Sequence, residues 1–273
     1  MSNGFAAGSD SQFTDCCDGN ENPMHLPFWL TTALLFPVLL YQGKHTRKHT
    51  PRLPEAQGSP SGQYGEGVPD LRLLVLGEST AAGVGVSSHE QGLASQLALQ
   101  LHERTGRTIA WHTYGVNGIR LVQLNRKLAS MDLPEADVVL LSMGVNDTTG
   151  FTPRGQFRRQ LLALREMLTQ RYPAPVYLLS VPPMHLFTAL PSPLRQIMGW
   201  RARQLNRVYE QLARLAPVDF HYWSYPAITD TSLLASDGYH PSDKGYRAIA
   251  EVLAAESWLT DCQRAKCCQS PEN

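Results

Sequence analysis

The segment from Leu71 to Gly85 constrains the fold of this chain more than any other stretch. It opens with an apolar run to Leu76, which is typical of a strand buried on both faces of a parallel sheet. The run ends at Gly77-Glu-Ser79, and a helical pattern follows. Because open α/β sheets carry their sites at the carboxyl ends of the strands, we expect Ser79 at that edge, at or near a helix N-terminus. A serine that only caps the helix is the alternative interpretation.

Strand-like and helix-like patterns alternate from Leu71 onward, and this alternation indicates a parallel sheet with helices on its faces. Strands are predicted at residues 71–76, 108–114, 137–143, 176–181 and 218–223. Helices are predicted before Gly106 and at residues 119–131, 153–171, 194–215 and 242–258. The sequence therefore predicts an α/β fold, a three-layer α/β/α sandwich around a five-stranded parallel sheet.

Four of the loops predicted at the carboxyl edge of this sheet carry chemically active residues. They contain Ser79, Asn117-Gly118, Gly144-Val-Asn-Asp147 and Asp237-Gly-Tyr-His240. Serine, histidine and aspartate are the parts of an acyl-transfer site, where a hydroxyl needs a base and the base needs an orienting carboxylate. The Asp-x-x-His spacing lets a carboxylate contact an imidazole of the same loop. We therefore expect these loops to converge on one crevice.

With these four blocks in this order, residues 71 to about 258 resemble the SGNH (GDSL-type) hydrolase superfamily. Gly77-Glu-Ser79 stands where the family usually has Gly-Asp-Ser, so Glu78 is a departure from the pattern. The resemblance implies a flavodoxin-like fold with Ser79 as nucleophile, His240 as base and Asp237 as its orienting acid. It also implies an oxyanion hole formed by the backbone N–H groups of Ser79 and Gly118 and by the side-chain amide of Asn146.

The resemblance implies a carboxylic ester hydrolase (an esterase or lipase) that needs no metal and no cofactor. Its expected substrate is a small-molecule or lipid-like ester. Acyl transfer to another alcohol by the same residues is one alternative. A non-catalytic, membrane-associated module that keeps only the fold is another, although such a module has no reason to keep all five site residues.

The N-terminal part of the chain has a different composition. Residues 1–23 are acidic and are predicted to be disordered, residues 24–43 are a membrane-prone apolar segment, and residues 44–69 are basic and then rich in proline and glycine, as in a linker. The apolar core, residues 26–41, leaves three interpretations open: a membrane-spanning anchor, an interfacial helix, or a helix that covers the domain above an acyl pocket. The basic residues after it predict a membrane-associated protein with a cytoplasmic catalytic domain.

Composition adds limits on partners and on metals. Lys plus Arg and Asp plus Glu number 24 each, so no nucleic-acid partner is predicted. The five cysteines lie near the two ends, and the hydrolase domain predicted at residues 70–259 has none. A reducing compartment suits this distribution, and the spacing in the tail at residues 260–273 matches no zinc pattern. The cysteines are Cys16, Cys17, Cys262, Cys267 and Cys268.

Several other residues have more ordinary interpretations. Asp147 is expected to hold its own loop by side-chain to backbone bonds. His112 and His221 lie in strand patterns and are expected to lie in the core or behind the site residues and not to be catalytic, whereas His185 is expected to be exposed to solvent. A group of large apolar residues either lines an acyl pocket or packs on the long helix, and the sequence favours neither. It consists of Met184, Leu186, Phe187 and Leu190.

Overall fold

The computed structural model describes residues 25–172 and 175–255. Within these ranges the strands are β1 (Ser61–Tyr64), β2 (Leu71–Gly77), β3 (Ile109–Gly115), β4 (Val138–Ser142), β5 (Val176–Leu179) and β6 (Phe220–Trp223). The helices are α1 (His25–His49), α2 (Leu93–Thr105), α3 (Leu121–Leu128), α4 (Val145–Thr149), α5 (Arg154–Thr169), α6 (Leu194–Leu215) and α7 (Asp243–Ala255). The predicted acidic tail and cysteine tail lie outside the described residues.

The strands form one mixed sheet in the order β1-β3-β2-β4-β5-β6. Strands β2 to β6 are parallel, and β1 pairs antiparallel with β3. The five predicted strands are all present in the flavodoxin-like order, so the α/β class and the parallel sheet are confirmed. Ligand sites in such sheets lie where the strand order reverses, which here is the end of β2.

The sheet has six described strands rather than the five that were predicted. The additional strand, β1, lies in the stretch predicted as part of a linker, and most of its side chains are exposed. An edge strand of this kind is held by backbone hydrogen bonds to a single neighbour, so it needs no apolar run. The hydrophobic pattern therefore carries no signal for it.

Two apolar layers cover the two faces of the sheet. In β2, Leu74 and Leu76 pack into the layer that contains α3, α5 and α6. Leu73 and Val75, which point to the opposite face, pack into the layer that contains α2 and α7. Because consecutive strand residues point to opposite faces, an apolar run is what a strand covered on both sides requires. This arrangement is the predicted α/β/α sandwich.

Helix α1 runs through the boundary that composition predicted after Gly43. The change from apolar to basic residues does not end the helix, because lysine and arginine are good helix formers. One stripe of α1, with Phe28, Thr32 and Leu39, is buried against the domain. Among the described helices, the stretch Leu26–His49 is long and apolar enough to cross a membrane, with a mean hydropathy of 1.3.

Candidate active site

Ser79 lies in a series of turns that follows β2 directly. Its side chain is largely buried, and its carbonyl oxygen accepts a hydrogen bond from Val84 N–H at 3.0 Å. Helix α2 begins only at Leu93, so the expectation that Ser79 lies at a helix start is wrong. The turn instead closes on itself and on the end of the neighbouring strand, where Glu78 N–H donates to Ser142 O at 3.1 Å. The position of Ser79 at the carboxyl edge of the sheet agrees with the prediction.

Asp237 and His240 form a tight pair in the loop before α7. Asp237 Oδ2 and His240 Nδ1 are 2.6 Å apart. Asp237 Oδ1 accepts hydrogen bonds from the backbone N–H groups of Tyr239 at 2.9 Å and His240 at 3.0 Å. Burial alone would raise the pKa of Asp237, but the hydrogen bonds from His240 and Tyr239 outweigh it and lower the pKa.

The ionised Asp237 fixes the tautomer of the imidazole. A carboxylate can only accept hydrogen bonds. Nδ1 of His240 therefore carries a hydrogen and donates a hydrogen bond to Asp237. In the neutral ring, Nε2 is then an acceptor. An imidazole in this state can take a proton at Nε2.

The turn that carries Ser79 packs closely on the loop that carries His240. A Cβ atom at Gly85, where φ is +104°, would lie 2.3 Å from Pro241 O and 3.4 Å from His240 Cβ. Tyr246 of α7 donates from its hydroxyl to Val84 O at 2.8 Å, which ties the same two segments together. The close approach of these backbones requires glycine at position 85.

Glu78 links the Ser79 turn to the first residues of α4. Its buried carboxylate accepts from Val145 N–H at 2.7 Å and from Asn146 N–H at 3.0 Å. It also accepts from the side-chain amide of Asn146. Since a carboxylate only accepts, the amide presents its nitrogen to Glu78, and one N–H of that nitrogen remains for another acceptor.

The burial of Glu78 has an electrostatic cost. It raises the pKa of Glu78 to about 7, although the hydrogen bonds from Asn146 and Val145 favour the charged form. Sequence reasoning noted Glu78 only as a departure from the family pattern. The signal that could have found its role is an acidic residue placed at the end of a strand that is buried on both faces.

A cavity of about 1080 Å³ opens at this edge of the sheet. It is lined by Ser79, Gly118, Asn146 and His240, and Asp237 lies behind His240. Within the described part of the chain, neither Ser79 N–H nor Gly118 N–H donates a hydrogen bond, and none joins the Ser79 hydroxyl to His240. The structure thus brings the predicted site residues to one cavity, with two backbone donors still without an acceptor.

The apolar part of this cavity lies between α1 and the segment before α6. All four large apolar residues of that segment line it, namely Met184, Leu186, Phe187 and Leu190. Met184 and Leu190 also belong to the apolar layer beneath α6, so both interpretations of this group apply. From the other side, Thr32, Phe36 and Leu39 of α1 complete the wall.

Asp147 has a structural position that differs from the expected one. Its fully buried carboxylate accepts from Leu121 N–H at 2.9 Å, so it connects α4 to the start of α3. The segment predicted as the loop Gly144-Val-Asn-Asp147 thus begins the short helix α4. Burial raises the pKa of Asp147, and the contacts with Leu121 and Arg201 oppose this. His185 is exposed, as expected, whereas His112 and His221 are only partly buried and His221 stacks on Tyr177.

The α/β/α fold and the cavity at the end of β2 agree with an ester hydrolase of the GDSL type. The sequence model of the GDSL-like lipase/acylhydrolase family matches residues 75–248. This chain therefore belongs to the GDSL-like lipase/acylhydrolase family, and it is a carboxylic ester hydrolase. It is 27% identical over 234 residues to a GDSL-like esterase of Mycobacterium tuberculosis, covering 79% of this chain and 74% of the relative.

Solved structures share the fold. The psychrotrophic esterase EstA of a Pseudoalteromonas species superposes with a TM-score of 0.55 at 19% identity, over 70% of this chain and 100% of that one. A mutant of Axe2, an acetyl-xylooligosaccharide esterase from Geobacillus, gives a TM-score of 0.52 at 18% identity, over 70% of this chain and 96% of that one.

Proposed function

We propose that the protein hydrolyses carboxylic esters with Ser79 as nucleophile, His240 as general base and Asp237 as the orienting acid. The observation that carries the proposal is the hydrogen bond of Asp237 to His240 Nδ1, 2.6 Å long, at a cavity that Ser79 also lines. That bond leaves Nε2 as an acceptor, as proton abstraction from a serine hydroxyl requires.

In the proposed first step, Ser79 Oγ attacks the ester carbonyl carbon and its proton passes to His240 Nε2. The negative charge that develops on the carbonyl oxygen is bound by Ser79 N–H, Gly118 N–H and the side-chain amide of Asn146. The bond from the carbonyl carbon to the alcohol oxygen then breaks, and His240 returns the proton to the leaving alcohol. Water repeats the cycle on the acyl-enzyme, which releases the acid and free Ser79. Nothing in this cycle requires a metal or a cofactor.

The proposed substrates are small or lipid-like esters with an apolar acyl group. Support comes from the apolar wall formed by Met184, Phe187 and α1 next to Ser79. We also propose that the protein is membrane-associated through residues 26–41, with the catalytic domain on the cytoplasmic side, where anionic lipids attract the basic residues that follow this segment.

A series of nitrophenyl esters of increasing acyl length tests the proposal. We expect turnover by the wild type and a kcat that is lower by about 10⁴-fold or more in Ser79→Ala. Full activity of Ser79→Ala would contradict the assignment. Adding an alcohol acceptor and analysing the products distinguishes hydrolysis, which yields the free acid, from acyl transfer, which yields a new ester.

A further inference from the structure

Helix α1 is attached to the catalytic domain along one side. Phe28 is fully buried, and its ring centroid lies 5.2 Å from that of Trp200. Two turns from the other end, the Gln42 side chain donates to Ser192 O at 2.6 Å and accepts from Leu194 N–H at 3.1 Å. The helix is therefore held against the domain near both of its ends.

The opposite side of α1 is an outward apolar face. Leu26, Leu30 and Leu34 follow at intervals of four residues, so they lie on one side of the helix. Their exposed fractions are 68%, 61% and 82%, and that of Tyr41, further along the same side, is 70%. A contiguous exposed apolar surface of this kind indicates a site of contact with a partner or a membrane.

The charge at the end of α1 indicates the chemistry of that partner. Lys44 and Lys48 continue the outward side of the helix. Arg47 and Arg52 lie nearby in sequence and, like Lys44, line the mouth of the cavity. Residues 22–54 contain no aspartate or glutamate. An apolar stretch followed by cations with no acidic residue near them in sequence matches an anionic lipid surface. The acyl region of the lipid layer buries the apolar side chains, and the anionic headgroups attract the cations.

The cavity lies directly beside this face. Phe36 and Leu40 line the cavity and are also 57% and 45% exposed, so apolar surface continues from the cavity to the outside of α1. Ser79 lines the same cavity, so this apolar surface leads from the outside of α1 to the candidate nucleophile.

We propose that α1 docks the protein on the surface of an anionic membrane through its outward apolar face, and that the cavity receives its ester substrate from that lipid layer. The substrate class is then a long-chain acyl ester dissolved in the membrane. The substrate part of this inference rests on the proposed ester hydrolysis, whereas the docking part does not.

The attachment of α1 favours docking on the membrane surface over a crossing of the membrane. A spanning helix would have to leave the domain, which would expose Phe28 and break both hydrogen bonds of Gln42. It would also remove one wall of the cavity. An interfacial helix keeps all of these contacts and buries only its outward side in lipid.

Co-sedimentation of the full chain with vesicles tests the docking. We expect the wild type to bind phosphatidylcholine vesicles that contain phosphatidylserine, and to bind less well as salt is raised. The double variant Leu30→Asp/Leu34→Asp should bind about tenfold more weakly or worse, because two apolar side chains lose their burial in lipid. Lys48→Glu should weaken binding about fivefold or more.

The control variant is Val68→Asp. Val68 is 82% exposed, as Leu34 is, but it lies near the start of β2, at the edge of the sheet opposite the cavity. Its binding should equal that of the wild type. Because Leu30, Leu34 and Lys48 do not line the cavity, all variants should hydrolyse soluble nitrophenyl acetate at the wild-type rate. Hydrolysis of nitrophenyl palmitate held in the vesicles should fall in parallel with binding.

Three outcomes would overturn the inference. The first is that the wild type does not bind the vesicles, or that the leucine and lysine variants both bind as well as the wild type. The second is a dimer of the wild type that the leucine variant abolishes without any vesicle binding, since α1 would then contact a second copy. The third is resistance of the bound protein to alkaline extraction, which indicates a spanning helix. Vesicle binding without hydrolysis of either ester would instead contradict the proposed function and leave the docking intact.

Discussion

At the scale of single residues, the proposed mechanism gives Asp237 the task of orienting His240 and not that of taking a proton. Asp237 also accepts hydrogen bonds from the backbone N–H groups of Tyr239 and His240, so it holds the loop as well as the imidazole ring. In the proposed mechanism the proton moves between Ser79 and His240. Without Asp237, the His240 imidazole would still be present as the proposed base, but it would no longer be held in its orientation.

The consequence is a graded loss of activity in three alanine variants. We expect Ser79→Ala and His240→Ala to lower kcat by about 10⁴-fold or more, and Asp237→Ala by about 10²-fold. Steady-state kinetics on one soluble nitrophenyl ester measures all three. An equal and complete loss in every variant would contradict the orienting role.

Glu78 gives the stability of the protein a dependence on pH. Its pKa is raised by burial from 4.5 to about 7, so between these values the folded state holds a proton that the unfolded state has released. The contribution of Glu78 to the free energy of unfolding should then fall as pH rises from about 4.5 to 7, by an amount of the order of 3 kcal/mol.

Urea denaturation at a series of pH values, compared with Glu78→Gln, isolates this contribution. Glutamine has no titrating group. The free energy of unfolding of the wild type should therefore fall relative to that of the variant as pH rises toward 7. A difference that is constant from pH 5 to pH 8 would show that Glu78 has an ordinary pKa.

At the scale of secondary-structure elements, the attachment of α1 is measurable through Phe28. Its fully buried ring packs on Trp200, so Phe28→Ala should lower the free energy of unfolding by about 3–5 kcal/mol. Tyr41→Ala, on the exposed side of the same helix, should change it by less than about 0.5 kcal/mol. Equal effects of the two substitutions would mean that α1 is not packed against the catalytic domain.

The contact between the Ser79 turn and the His240 loop depends on Gly85. In Gly85→Ala the new Cβ would meet Pro241 O, so the loop must move and carry His240 with it. Because small misplacements of catalytic groups are costly, we expect kcat/KM to fall about tenfold or more.

The matched control for this substitution is Gly106→Ala. Gly106 also has a positive φ, of +65°, but a Cβ there meets nothing within 4 Å. It should cost about 1 kcal/mol of stability and leave kcat/KM unchanged. Similar kinetic losses in the two variants would indicate a general effect of strain and not a displaced His240.

At the scale of the whole molecule, the sequence predicted what depends on periodicity and on strand ends. The apolar run of β2 and the Asp-x-x-His spacing are local features, so the parallel sheet and the position of Ser79 followed from them. Strand β1, the bonds of Glu78 to Asn146 and the attachment of α1 depend on contacts between distant segments. Gln42 and Leu194, for example, are separated by 152 positions, and no local pattern records their hydrogen bond.

The central claim is that Ser79 is the residue that becomes acylated, and a fluorophosphonate tests it without any knowledge of the natural substrate. Attack by Ser79 Oγ forms a bond to phosphorus, expels fluoride and leaves a stable adduct that peptide mass spectrometry can locate. The account predicts a single adduct on the peptide that contains Ser79, absent from Ser79→Ala and much slower to form in His240→Ala. An adduct on another residue, or none in a preparation that still hydrolyses esters, would contradict it.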